Sequence, residues 1–251
     1  MRECLNSIRS YSYDLFVTLP TETWELNAEI TQFFPRAKVE VVENRGYDVA
    51  PFVHVLNQVN LEKYQYIVKI HTKKNIHEGV TLNGFLVSGT RWRNFLLRFL
   101  ENERTFQKCM GSFEKDRSLG MICDFRLIMT LTSDNARLQA LVWDWARKMG
   151  VSLNGGERFV AGTMFIARAN LFEKFKRLNL RMSDFEAGRV VNELGLAHVM
   201  ERILGVVVCS QAFTIRDCFT PEWVKWGSKV SSFCLKKGRR FIRNKVTRSG
   251  H

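Results

Sequence analysis

Short runs rich in β-branched and aromatic residues recur along the chain at residues 14–19, 38–43, 65–71, 119–124, 159–167 and 206–210, and these read as buried strands. Between them the apolar positions fall three and four apart. Trp92, Phe95, Leu96, Phe99 and Leu100 form one such face behind Ser88, a residue suited to capping a helix. Leu138, Leu141, Val142, Trp145 and Met149 form another behind Ser133 or Asp134. Residues 2–10 read as a polar helix and residues 196–205 as an apolar one. Helix and strand alternate, which predicts an α/β sandwich with a largely parallel sheet. Trp92, Trp143 and Trp145 sit in helical patterns, where a core role outweighs stacking on a sugar.

Composition bounds what such a fold does. The 251 residues suffice for one sizeable domain, or one with a small appendage, and 45% apolar with 12% aromatic content fits a packed core. The opening Met-Arg-Glu-Cys-Leu-Asn-Ser has no apolar core of a signal peptide, and no stretch of about 18 apolar residues occurs to span a membrane. Six scattered cysteines without C-x-x-C pairs read as reduced, packed thiols, so a cytoplasmic location is expected.

Charge then divides the chain. Its formal net charge is +13, and residues 221–251 carry nine Lys or Arg against Glu222, a net +8. Pro221 is the boundary between a domain at 1–220 and this basic tail. Trp223, Trp226, Phe233, Phe241 and Ile242 are interleaved with the cations, a composition suited to an anionic membrane surface. A merely solvated tail is the plain alternative. No nucleic-acid reading motif is present and the charge lies outside the domain, so no nucleic-acid partner is expected.

Chemistry concentrates where the predicted strands run out. Residues 38–43 lead into Asn44-Arg45-Gly46-Tyr47-Asp48-Val49-Ala50-Pro51-Phe52, and residues 65–70 into His71-Thr72-Lys73-Lys74. Ligands of open α/β sheets bind beyond the carboxyl ends of strands. Gly46 can turn the backbone through positive φ, Asp48 is placed to cap the next helix, and Pro51 fits its first turn. With Arg45, Lys73 and Lys74 alongside, the cluster suits phosphate oxygens, although a capped turn with a solvated basic loop has the same pattern. Gly162 and Thr163 permit close approach of a ligand or another backbone, or mark a bulge. His198, Glu201 and Arg202 form a polar patch on an apolar helix. It reads either as an ion-pair staple or as a general base with its orienting partner.

In this order, the chain resembles the rhamnan synthesis F family of bacterial polysaccharide-assembly proteins. The pieces that carry the resemblance are the Asn44–Phe52 and Tyr66–Lys74 segments quoted above, Trp92-Arg93, Gly162-Thr163-Met164-Phe165, and Ala197-His198-Val199-Met200-Glu201-Arg202. They span most of residues 14–210; Tyr47 replaces the family's usual Arg. The resemblance implies a GT-A-like three-layer sandwich whose mostly parallel central sheet here lacks the usual first strand. It also implies an inverting glycosyltransferase moving a sugar, such as rhamnose, from a nucleotide-sugar donor to a cell-surface polysaccharide or lipid-linked saccharide.

On that reading Asn44, Arg45, Gly46, Asp48, His71, Lys73, Lys74, Gly162 and Thr163 hold the donor, and His198, Glu201 or Asp48 serves as base. His71-Thr72-Lys73 stands where related enzymes carry a metal-binding Asp-x-Asp. No divalent metal or other cofactor is therefore expected, with a carboxylate from elsewhere, such as Asp124, the alternative. The tail would place the domain at the inner face of the membrane. A non-catalytic partner of a polysaccharide assembly complex is the competing reading.

Overall fold

The computed structural model describes residues 2–72, 79–82, 85–131, 135–188 and 194–225. In chain order its elements begin with α1 (Arg2–Asn6), β1 (Phe16–Pro20), α2 (Leu26–Phe33), β2 (Lys38–Val42), α3 (Val49–Gln58) and β3 (Tyr66–Lys69). An antiparallel pair, β4 (Val80–Leu82) and β5 (Phe85–Val87), precedes α4 (Gly89–Leu97), α5 (Glu103–Lys115) and β6 (Leu119–Ile122). Then come β7 (Ile128–Thr130), α6 (Ala136–Lys148), β8 (Arg158–Val160) and β9 (Phe165–Arg168). The last elements are α7 (Glu173–Lys176), α8 (Leu196–Cys209) and β10 (Thr214–Arg216).

The α/β class follows the alternation in the sequence, but the sheet is mixed rather than largely parallel. Its strands lie in the order β10, β6, β9, β3. Only β10 and β6 pair in parallel; β9 runs antiparallel to both β6 and β3. β1 and β2 form a separate parallel pair, from Phe16 opposite Lys38 to Pro20 opposite Val42. The reason for the reversal is local. Residues 159–167 do not make one strand: β8 stops at Val160, and the chain turns through Gly162 (φ 80°) and Thr163 (φ 52°) before β9 starts. Element order along a chain does not record such a turn.

A second expectation also fails. Residues 206–210, read as a strand, instead continue α8 to Cys209. Val206, Val207 and Val208 are all buried. A helix enclosed on every side has no polar stripe, so its apolar run carries no period to distinguish it from a strand. Gly205 makes the enclosure possible: a Cβ there would lie 2.2 Å from the Arg158 carbonyl oxygen, so α8 rests directly on the backbone of β8.

Caps and core follow the sequence more closely. The Ser88 hydroxyl accepts the Arg91 N–H at 3.4 Å and starts α4. Asn135 caps α6 through the Leu138 N–H, while Ser133 and Asp134 lie outside the described residues. Every residue of β6 is buried, which on a pleated strand requires cover on both faces. Among the covering contacts, Phe113 of α5 packs on the Tyr66 ring, 4.8 Å between centroids. Trp92 is core, whereas Trp143 is 44% exposed and Trp145 carries the Lys148 ammonium 3.9 Å from its ring centre. Cys109 and Cys123 are buried free thiols; Cys234 lies outside the described residues. Among the described residues no helix is long and apolar enough to cross a membrane.

This topology creates one rim. Because β9 opposes its neighbours, β3, β6 and β10 point the same way. Their carboxyl ends, at Lys69, Ile122 and Arg216, therefore meet the entry to β9 at Phe165, just after the Gly162-Thr163 turn.

Candidate functional site

Lys69 is the last residue of β3, and its side chain is only 4% exposed. A buried lysine needs a partner, and Asp48 and Thr163 are among those of Lys69. Its ammonium lies 2.6 Å from Asp48 Oδ2 and 2.8 Å from Thr163 Oγ1. The Thr163 hydroxyl in turn donates to Asp48. Asp48 stands just before α3, as expected of a cap, but its side chain makes no capping hydrogen bond and turns to Lys69 instead. Burial pushes the Asp48 carboxyl upward. The Lys69 ammonium, His71 and the hydrogen bonds from Lys69 and Thr163 outweigh it and hold the group well below the usual carboxylate range.

The turn before β9 is pinned from three sides. Gly162 donates its N–H to Glu201 Oε1 at 2.7 Å, and its carbonyl oxygen lies 2.9 Å from His71 Nε2. On a third side a Cβ at position 162 would lie 2.7 Å from Leu96 and 2.9 Å from Trp92, so only glycine fits between α4 and this site. Thr163 follows with φ 52°, an uncommon conformation for a β-branched residue. Its contacts with Asp48 and Lys69 are what hold it there.

The polar patch on α8 divides into separate roles. Glu201 Oε2 pairs with Arg202 at 3.1 Å, while Arg202 also donates to the His198 carbonyl oxygen at 2.8 Å and not to its ring. Burial raises the Glu201 carboxyl above the ordinary range; Arg202 and the Gly162 N–H only partly offset this. Among the described residues, His198 Nδ1 is a buried side-chain nitrogen with no hydrogen-bond partner. The Tyr47 ring meets that imidazole edge-on, 5.6 Å between centroids, from a backbone position with φ 56°.

The Asn-Arg-Gly segment, expected to contribute to a phosphate site, is anchored within the chain. Arg45 Nε lies 2.5 Å from Glu43, and its Nη1 donates to the Phe185 carbonyl at 3.0 Å. Asn44 accepts the Gly188 N–H through its backbone, and Gly46 (φ 56°) donates to the Glu186 carbonyl. The segment is thus stitched to residues 185–188. The structure brings Asp48, His71, Gly162, Thr163 and Glu201 together through hydrogen bonds and a 3.6 Å ion contact between His71 and Asp48, with His198 a turn away from Glu201 on α8. Lys73 and Lys74 lie outside the described residues.

Two pairings at the rim escaped sequence reasoning, those of Lys69 and of Asp124. Lys69 was legible as a cation ending an apolar strand, a position that demands a carboxylate. Further along the rim, Asp124 is wholly buried, with Arg126 bound to both oxygens at 2.8 and 2.7 Å and Arg98 at 3.7 Å. The Arg126 guanidinium stacks 3.7 Å from the Phe95 ring centre. An arginine two residues beyond an aspartate at a strand end was the available signal. Both oxygens of Asp124, the carboxylate named above as an alternative metal ligand, are engaged by Arg126.

Comparison with known proteins adds a family. The family model described as rhamnan synthesis protein F matches residues 1–213. An uncharacterized protein, WxcX, from Xanthomonas campestris pv. campestris strain B100 is 28% identical over 211 residues, covering 82% of this chain and 29% of the relative. Its counterpart in strain ATCC 33913 matches to the same extent. The chain thus spans under a third of the length of these relatives. No solved structure matches it.

Proposed function

Because the chain belongs to the rhamnan synthesis protein F family, we propose that it is an inverting glycosyltransferase of GT-A-like fold, moving a sugar such as rhamnose from a nucleotide donor onto a cell-surface polysaccharide or lipid-linked saccharide. The observation that carries this reading is the convergence of Asp48, Lys69, His71, Gly162, Thr163 and Glu201 at the carboxyl-end rim. The donor diphosphate would lie there, with Lys73 and Lys74 as further cations. His198 is the base we assign, since its Nδ1 is a buried nitrogen with no other partner among the described residues. It takes the acceptor hydroxyl proton as that oxygen bonds to the sugar's anomeric carbon; the carbon–phosphate oxygen bond breaks and the diphosphate leaves as an anion. Asp48 is too firmly ionised to act as base at neutral pH and serves to hold Lys69 and Thr163. No step calls for a metal ion, and turnover should persist in excess EDTA.

A second reading has its own observation. Lys69 is paired with Asp48 and Arg202 with Glu201, so two ion pairs of the site are made within the chain itself. That arrangement also fits a non-catalytic glycosyltransferase-like partner in an assembly complex. Thermal unfolding of the full chain with a panel of nucleotide sugars separates the two, because a ligand that binds only the native state raises its stability. A rise in melting temperature with at least one donor is expected. No shift with any of them favours the non-catalytic partner.

The basic segment at 221–251 supplies the membrane half of the proposal. Each Lys or Arg near an anionic surface contributes about 1 kcal/mol at most. Liposome sedimentation should show the full chain pelleting with anionic vesicles, and a chain ending at Thr220 staying in solution.

A further inference from the structure

We propose that His71 stands in the site as an imidazolium, a fixed positive charge that readies the site for the diphosphate of a nucleotide-sugar donor; the ligand half of this rests on the glycosyltransferase reading above. Its Nε2 lies 2.9 Å from the Gly162 carbonyl oxygen and its Nδ1 3.0 Å from the Thr72 carbonyl oxygen. A carbonyl oxygen only accepts. Each contact is a hydrogen bond only if the ring nitrogen carries a proton, and neutral imidazole has one N–H where imidazolium has two. A neutral ring would set a lone pair against one of these oxygens.

The surroundings favour the charged ring. Asp48 Oδ2 lies 3.6 Å from Nε2, and the His71 side chain is 12% exposed, so water screens the pair weakly. Lys69, 2.6 Å from the same carboxylate, is the opposing influence. From α8, Glu201 accepts the N–H of the residue whose carbonyl His71 holds, and Arg202 balances Glu201. Lys69, His71 and Asp48 together leave one net positive charge when the ring is protonated and none when it is neutral. Protonation of His71 therefore adds one positive charge to this centre.

The test has two arms on the full 251-residue chain. Long-range ¹H–¹⁵N spectra of the imidazoles at pH 7.5, assigned by the signal lost in His71→Gln, should place both ring nitrogens of His71 in the protonated range. A shift typical of an unprotonated nitrogen overturns the proposal, whatever the protein binds. In the second arm, calorimetry with inorganic pyrophosphate should show about tenfold weaker binding to His71→Gln than to wild type, and the gap should shrink in high salt. Equal affinity for both proteins removes the anion-binding role while leaving the charge state standing. Wild type that binds no pyrophosphate, with an imidazolium in its spectrum, instead overturns the donor-site reading on which the ligand half depends.

Discussion

Glu201 accepts the backbone N–H of Gly162 at 2.7 Å, so a carboxylate on the long helix α8 fixes the turn that delivers Thr163 to Asp48 and Lys69. The ionised form is costly there, since burial raises its pKa despite Arg202. A carboxyl raised in the folded state contributes stability that is fully present below its unfolded pKa of about 4.3 and is lost as pH rises through the folded value. Glu201→Gln keeps an acceptor without the charge. Urea unfolding should find it no less stable than wild type at pH 8, with the difference vanishing near pH 4. Glu201→Ala leaves the Gly162 N–H unpaired and should cost about 1–3 kcal/mol. A glutamine variant markedly weaker than wild type at pH 8 would show that the charge itself holds the turn.

The Lys69–Asp48 pair has the opposite sign. Asp48 is held below the usual carboxylate range. Its contribution is present above an unfolded pKa of about 3.9 and is lost as pH falls through the lower folded value. Lys69→Met strands a largely enclosed carboxylate and should cost about 3–5 kcal/mol at pH 7. The gap between variant and wild type should narrow in acid below about pH 4, where the stranded group takes up a proton. Denaturant titrations across that range check it, and a constant gap would mean that lost packing, not charge, explains the cost.

How much of this was legible in the sequence depends on distance along the chain. The α/β class came from local period, and Ser88 as a cap from local chemistry. Gly46, Asp48, His71, Gly162, Thr163, His198 and Glu201 were singled out because they interrupt or end apolar runs. Their partners were not found, because pairing is a property of topology. Asp48 was read as a helix cap, whereas Lys69, 21 residues on, and Thr163, 115 residues on, both bind its Oδ2. The mixed sheet was hidden in the turn at Gly162. The continuation of α8 was hidden in three buried valines that any sheet would also accept. Arg45 was read as a phosphate ligand from its neighbours in sequence; the contact of its Nη1 with the Phe185 carbonyl, 140 residues on, was not legible there.

Gly205 lets α8 touch β8, so Gly205→Ala should be among the most damaging single changes outside the site. The added methyl would meet the Arg158 carbonyl oxygen at 2.2 Å and the Phe159 Cα at 2.4 Å, both backbone atoms that cannot swing aside. Overpacking of this kind should cost about 3 kcal/mol, well beyond alanine's modest gain in helix propensity. Loss of soluble protein, or a melting temperature lowered by several degrees, is the expected readout. A variant as stable as wild type would mean that α8 can slide along β8.

His198 decides between chemistry and architecture. Its ring was expected to belong either to an ion-pair staple or to a proton-transfer site. The staple on α8 runs from Arg202 to Glu201 and to the backbone carbonyl of His198, leaving ring Nδ1 buried and without a partner among the described residues. Such a nitrogen adds no hydrogen bond to the fold and bears a desolvation penalty of about 1–3 kcal/mol. His198→Phe keeps a flat ring against Tyr47 and removes that penalty. It should unfold at or above the wild-type temperature while sugar transfer falls by the factor of about 10²–10⁴ typical of a lost general base. His198→Ala should lose transfer equally but some stability with it, since it also removes the ring contact. Binding of the nucleotide-sugar donor should survive both changes, because the base we assign acts on the acceptor hydroxyl and not on the donor. Full transfer by a stable His198→Phe protein would remove the base assignment and return Glu201 as the remaining candidate on this helix.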